Sequence, residues 1–194
     1  KSFEALIPGT VILGAALLLR LLMMQTDYGT IHDFVYKMLA LPLKSLGTSY
    51  IGSIFTVFAI SILWSVGINS GSMVNGFVRP FWLENQVENI AALQAGQPLP
   101  HVITEQFFDM VWMGGAGVTL SLLIAILIFA KSKHIRSVGA IGTIPGIFNI
   151  NEPILFGLPI ILNPIMLIPF NLVAMVMVTT QYITMNLGIV SKPL

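Results

Sequence analysis

The chain has 194 residues, 56% of them hydrophobic and 9% charged, with a formal net charge of +1 and no cysteine. Soluble domains carry about 25% charged residues, so this composition describes an integral membrane protein, and without a dense basic face it excludes a nucleic-acid partner. The lack of cysteine excludes disulfides, a thiolate nucleophile and a cysteine metal site, so any thiol chemistry has to be supplied by a partner.

Lys1 opens the sequence with no charged leader and cleavage site before the first apolar run, so a piece of a longer polypeptide is expected. Residues 3–24 are apolar over about the 20 residues that cross a hydrocarbon core, and Arg20 lies near enough to one end to snorkel. Over residues 30–46, Ile31, Phe34, Val35, Met38, Leu39 and Leu46 recur at helical spacing, with His32, Asp33, Lys37 and Lys44 on other faces. That pattern predicts an interfacial amphipathic helix, kinked or ended at Pro42, and residues 1–50 are read as one region: a span plus this helix.

Residues 51–194 are read as the substrate-binding membrane region. An apolar run at 51–68 leads into GINSGSMVNG and Arg79-Pro80, predicting a broken segment at 67–82. A polar loop at 83–106 follows, with a short helix possible up to Ala95. Residues 107–130 read as a continuous span in which the GGAG at 114–117 permits close helix approach. Lys131, Lys133, His134 and Arg136 follow that span directly and mark a cytoplasmic end. A last span is expected at 165–190, with the chain continuing beyond it.

The most informative stretch is 143–168, where Asn149, Asn151 and Glu152 stand in a hydrophobic run interrupted by Pro145, Pro153, Pro159 and Pro164. A carboxylate at the bilayer centre costs roughly 2.5–3.5 kcal/mol on insertion scales, and each proline removes a backbone donor. Such a segment persists where protein or water covers it, so a re-entrant hairpin lining a polar cavity is predicted. Because Pro153 follows it, Glu152 is expected in extended backbone. A carboxylate suits a ligand hydroxyl, and asparagine can both donate to and accept from one. The alternatives are that Glu152 caps a half-helix or pairs with Arg79, and that the asparagines satisfy freed backbone groups. Trp64, Trp82 and Trp112 are candidates for ligand stacking or interfacial anchoring, while His101 and His134 lack metal-ligand spacing.

The run GIFNINEPILFGLPIILNPIMLIPF at 146–170 resembles the membrane component, enzyme IIC, of the bacterial phosphoenolpyruvate-dependent sugar phosphotransferase system, in its lactose/cellobiose/chitobiose branch. YGTIHDFVYKMLALPL at 28–43, LPHVITEQFFD at 99–109 and KSKHIRSVGAIGTIPG at 131–146 extend the resemblance to nearly the whole chain, as the C-terminal, substrate-binding half of that component. The resemblance implies an all-α membrane protein: a multi-span helical bundle with two re-entrant or broken helical hairpins and an interfacial amphipathic helix. It implies a multi-pass permease of the bacterial plasma membrane that binds a disaccharide such as cellobiose, lactose or diacetylchitobiose. Uptake would be coupled to phosphorylation by a phosphocysteine on a cytosolic partner, phosphorylated enzyme IIB. A homodimer through N-terminal helices missing from this chain is also implied, with no metal and no cofactor.

By the same resemblance, the family's motif glutamate falls on Glu152, as catalytic residue and sugar ligand, beside Asn149 and Asn151 as sugar-binding residues. Where relatives read WFFGIHG, this chain has Trp64-Ser65-Val66-Gly67-Ile68-Asn69-Ser70, which puts Asn69, also a sugar-binding candidate, at the family's histidine. The competing function is an ion-coupled secondary sugar transporter that leaves its substrate unphosphorylated.

Overall fold

The computed structural model describes residues 2–194, and the side chains of residues 2–6, 32, 35, 39 and 40 lie outside the described residues. Among the described residues every regular element is a helix. Residues Lys1–Lys44 and Ser45–Leu194 form two compact units.

In the first unit α1 (Ser2–Met24) contains an apolar window, Ile7–Met24, long enough to cross a membrane. Thr30 then starts α2 (Ile31–Val35): its Oγ1 accepts from the Asp33 amide at 3.0 Å, as an N-terminal cap does, and donates to Asp33 Oδ2 at 2.7 Å. The amphipathic stretch is helical but not uniform. A π-helical turn (Tyr36–Ala40) separates α2 from α3 (Leu41–Gly47). Pro42 cannot donate to the carbonyl four residues back and its ring crowds that carbonyl, which favours a widened turn there. Of the residues named in that amphipathic pattern, the side chains of His32, Val35 and Leu39 lie outside the described residues.

The second unit opens with α4 (Tyr50–Ser65), capped by Ser49 Oγ, which accepts from the Gly52 amide at 3.0 Å. Its end is closed by two backbone bonds, Gly67 N to Trp64 O and Ile68 N to Leu63 O, each 2.9 Å, the pairing of a Schellman motif with Gly67 at φ 85°. The break before α5 (Gly71–Gln94) is therefore confined to 66–70. This corrects the expected broken segment at 67–82 and shortens the expected loop at 83–106: α5 runs through Pro80 and well into the polar interval. Pro80 lies inside α5, where it supplies no amide hydrogen to the Gly76 carbonyl four residues back. The rest of the polar interval is tied to α5 by Asn85 Nδ2 donating to Ile103 O (2.8 Å) and Asn89 Nδ2 donating to His101 O (2.8 Å).

The region expected as one span at 107–130 is two helices, α6 (Glu105–Val111) and α7 (Thr119–Phe129), separated by a glycine-rich loop. Gly114, Gly115 and Gly117 have φ of 82°, 93° and 74°, and Val118 is also left-handed at 53°, a conformation no helix accommodates. The run still permits close approach, a Cβ on Gly117 falling 2.1 Å from Phe170, and α8 (Lys133–Ile147) adds two more such contacts, where a Cβ on Gly142 would fall 2.3 Å from Ile154 and one on Gly146 2.3 Å from Leu123.

After α8 come a turn, the short α9 (Glu152–Gly157), an irregular stretch, and α10 (Pro164–Asn186), the second helix long and apolar enough to cross a membrane. Pro153 and Pro164 occupy first turns, where a missing amide hydrogen breaks no intrahelical bond. That placement corrects the expectation of extended backbone at Glu152, which is the first residue of α9. Asn163 caps α10, its Oδ1 accepting from Ile165 N at 3.0 Å.

α10 packs along α4, and α7 along α8, which also holds α9. Two apolar clusters fill the interior. One gathers Val57, Trp82, Phe107, Phe108, Ala174 and Val178; the other gathers Ile60, Trp64, Leu123, Ile154, Leu155 and Phe170, and Trp112 packs against both.

Candidate functional site

Three helix breaks of the second unit meet: the turn after α4 at 66–70, the glycine loop at 112–118, and the turn between α8 and α9 at 148–151. Between them lies a cavity of about 310 Å³. Its size falls at the lower end of small-molecule sites, roughly 300–1,000 Å³. Ile60 and Trp64 of α4 form one wall, Ser72 and Asn75 of α5 another, and Trp112, Gly115 and Ala116 a third. Asn69, Asn149, Asn151 and Glu152, the four residues singled out from the sequence, complete the lining together.

The two asparagines of the α8–α9 turn also hold the site together. Asn149 has φ 63°, and its Oδ1 accepts from the Gly114 amide at 2.8 Å. Asn151, 3% exposed, donates through Nδ2 to Ala116 O at 2.7 Å. The backbone groups that the asparagines satisfy thus belong to the facing glycine loop. Close contact requires Gly115 there, since a Cβ on it would fall 2.7 Å from Asn151 Cγ and 3.0 Å from Asn149 O. Each amide side chain retains a second polar atom, Asn149 Nδ2 and Asn151 Oδ1, beyond these bonds.

Glu152 is half-buried, and its carboxylate has no ion-pair or hydrogen-bond partner among the described residues. The Arg79 partner considered for it is engaged elsewhere: Arg79 Nε donates to Glu105 Oε1 at 2.5 Å, linking α5 to α6. Asn69 is exposed in the turn after α4, beside Ser70, whose Oγ donates to Ile60 O at 3.0 Å. The stretch between Pro159 and Pro164 bonds to the end of α4, Leu162 N donating to Ser65 O at 2.8 Å.

The tryptophans divide. Trp82 is 2% exposed, stacks on Phe108 with ring centroids 3.7 Å apart, and donates through Nε1 to Gly47 O at 2.9 Å, so it is a core residue. Trp64 and Trp112 border the cavity. His101 Nε2 pairs with Glu88 Oε2 at 2.5 Å, and His134 is exposed in the first turn of α8.

The sequence does not single out Asn75 as a cavity residue, whereas Trp112, a candidate for stacking or anchoring, does border the cavity. Ser72, Asn75 and Arg79 recur at i, i+3 and i+7, one face of a helix, a signal hidden as long as 67–82 is read as broken.

A second cavity, of about 240 Å³, adjoins the first through the shared residues Asn75 and Trp112. Arg79, Glu105 and Asp109 line it, with Trp82 and Phe108 beneath.

Residues 1–174 match the protein family described as "Phosphotransferase system, EIIC". The oligo-beta-mannoside-specific EIIC component of Bacillus subtilis (strain 168) is 41% identical over 100% of this chain, which spans 44% of that protein. The cellobiose-specific EIIC component of Geobacillus stearothermophilus is 42% identical over 100% of this chain and 44% of its own length. Among solved structures, the transporter ChbC, the IIC component of an N,N'-diacetylchitobiose-specific phosphotransferase system, superposes with a TM-score of 0.85 at 43% identity, covering 99% of this chain and 45% of that one. The chain thus spans somewhat under half the length of the relatives it matches. Across that whole span, in sequence and in fold, it belongs to the membrane EIIC components of the phosphotransferase system.

Proposed function

We propose that this chain forms the sugar-binding part of a multi-pass disaccharide permease in the bacterial plasma membrane, and that the full-length protein couples uptake to phosphorylation of the sugar by phosphorylated enzyme IIB. One observation carries the reading. A carboxylate without a partner among the described residues, Glu152, shares one cavity with four asparagines and two tryptophans, at a junction of helix breaks. Hydroxyl groups need donors and acceptors in close array, and pyranose faces need an apolar platform, which is the chemistry this lining offers. The specificities of the relatives, for an oligo-beta-mannoside, cellobiose and diacetylchitobiose, support a substrate of linked pyranose rings.

In the transfer step a sugar hydroxyl oxygen bonds to phosphorus, the bond from phosphorus to the partner's cysteine sulfur breaks, and the hydroxyl proton leaves. Glu152 accepts the hydrogen bond of that hydroxyl and can take its proton. Phosphoryl transfer has a loose transition state, so holding the hydroxyl in line with phosphorus contributes more than complete proton removal. Asn149, Asn151 and Asn69 serve that positioning through their remaining amide atoms. Dimer formation through segments outside this chain belongs to the same proposal.

The test uses the full-length protein in membrane vesicles and compares wild type with Glu152→Gln for sugar binding and for phosphorylation by phosphorylated enzyme IIB. Binding retained with phosphorylation lost assigns Glu152 to the transfer step. Loss of both makes it chiefly a sugar ligand. Wild-type delivery of unmodified sugar, responsive to the proton gradient, rejects the phosphotransferase reading in favour of ion-coupled transport.

A further inference from the structure

We infer that the end of α7 and the start of α8 form a seat for a phospholipid with an anionic headgroup, its phosphate held by Lys131, Lys133 and Arg136 and one acyl chain lying in the apolar groove between α7 and α10. The inference is independent of the sugar-binding reading, since it uses a different cavity and charged residues to which the transfer chemistry assigns no part.

Charge is the first observation. Lys131, Lys133 and Arg136 are exposed, and their side chains make no hydrogen bond or ion pair among the described residues. No Asp or Glu occurs between Asp109 and Glu152, so neither α7 nor α8 contributes a counter-charge. Glu152 itself stands beyond the opposite end of α8. Lys133 and Arg136 also occupy the first turn of α8, where the helix dipole adds to the repulsion among the cations, and an anion relieves both.

Shape is the second. A groove of about 230 Å³ runs between α7 and α10, lined by Leu122, Ala125, Ile160, Met166, Phe170 and Val173. Its two hydroxyls are already engaged by backbone carbonyls, Thr119 Oγ1 donating to Gly114 O and Ser121 Oγ donating to Val118 O at 2.8 Å. A sugar would lose its water partners there without replacement, whereas a hydrocarbon chain has none to lose.

Register joins the two. Thr119, Leu122 and Ala125 recur at i, i+3 and i+6 on one face of α7, which ends at Phe129 just before the cluster. The helix rises about 16 Å, and half of a hydrocarbon core is about 15 Å thick, so a phosphate seated at the cluster lays its acyl chain alongside the groove. Ile128 and Phe129, 64% and 76% exposed, carry the apolar surface out to the lysines. Cations beside exposed apolar side chains match a lipid headgroup above its acyl chains, and that pairing favours a lipid over free phosphate or an acidic protein surface.

The experiment measures lipid bound to the full-length protein in detergent by native mass spectrometry, with phosphatidylglycerol, phosphatidylcholine and inorganic phosphate as probes. Wild type is expected to bind phosphatidylglycerol at least about tenfold more tightly than phosphatidylcholine, the scale of two or three cations beside an anionic headgroup, and to retain no inorganic phosphate. The combined substitution Lys131→Gln, Lys133→Gln and Arg136→Gln is expected to erase that preference and leave phosphatidylcholine binding unchanged. Ala125→Phe, which fills the groove, is expected to weaken both lipids, with a cooperative thermal transition retained as evidence of an intact fold. A preference that is absent from wild type, or that survives the triple substitution, overturns the headgroup seat. Retention of inorganic phosphate as tight as that of phosphatidylglycerol replaces the lipid by a free anion, and lipid binding unchanged in a folded Ala125→Phe overturns the groove. If the triple variant keeps its lipid preference but loses phosphorylation by phosphorylated enzyme IIB, the cluster belongs to that partner and the inference fails.

Discussion

Asn151 Nδ2 lies 2.7 Å from the carbonyl oxygen of Ala116, joining the turn that carries Glu152 to a glycine loop 35 residues earlier in the chain. The donor is 3% exposed and the acceptor residue 9%, so neither group has ready access to water as a substitute partner. Replacing Asn151 by Leu leaves the Ala116 carbonyl buried and unpaired. The expected cost is about 1–3 kcal/mol, read as a lowered thermal midpoint of the full-length protein in detergent, together with weakened sugar binding. An unchanged midpoint in Asn151→Leu would mean that this bond is not what joins the two turns.

Gly115 faces the same contact. Its φ is 93°, and a Cβ would stand 2.7 Å from Asn151 Cγ. Gly115→Ala is therefore expected to destabilise by about 1–3 kcal/mol through backbone strain and to reduce sugar binding by displacing Asn151. Gly76→Ala is the matched control. Gly76 lies inside α5, where an added Cβ meets nothing within 4 Å, so alanine there is expected to stabilise by up to about 1 kcal/mol. Thermal unfolding of the two variants side by side separates a steric requirement from a general intolerance of substitution.

These positions also show what the sequence can and cannot reveal. Asn149, Asn151 and Glu152 stand out because polar groups among prolines in an apolar run need compensation, and the structure brings all three to one cavity together with Asn69. The glycine loop at 112–118 does not stand out, because small residues in an apolar stretch read equally well as a packing surface within a continuous helix. What decides between them is a run of left-handed residues ending at Val118, stabilised by the distant side chains of Asn149 and Asn151. α5 hides for the opposite reason: its Gly, Ser, Asn and Pro content argues against a helix, and packing of Val78, Phe81 and Trp82 into the core overrides that local preference.

The Arg79–Glu105 pair links α5 to α6 at the edge of the second cavity, with the Arg79 side chain 59% exposed and that of Glu105 19%. So much solvent around the guanidinium screens the attraction. A double-mutant cycle of Arg79→Ala and Glu105→Gln is expected to give a coupling of no more than about 1 kcal/mol, falling as salt rises. A larger, salt-insensitive coupling would show the pair closed off from water in the full-length protein.

Asn69, which the resemblance puts at the family's histidine, is exposed in the turn closing α4 and borders the cavity with Glu152. Asparagine offers one donor group and one acceptor and does not change charge at ordinary pH, whereas imidazole titrates near pH 6.5. If the position only orients sugar, Asn69→His is expected to bind with similar affinity above about pH 7.5 and to acquire a new pH dependence centred near the ordinary imidazole value. The wild-type profile lacks that feature. Sugar affinity measured for both proteins from about pH 5 to 8 checks this directly, and Asn69→Ala supplies the remaining comparison. Loss of binding in Asn69→Ala with recovery in Asn69→His assigns the residue a hydrogen-bonding role toward sugar. Equal affinity in all three proteins would remove Asn69 from the binding set and leave it a turn residue that happens to border the cavity.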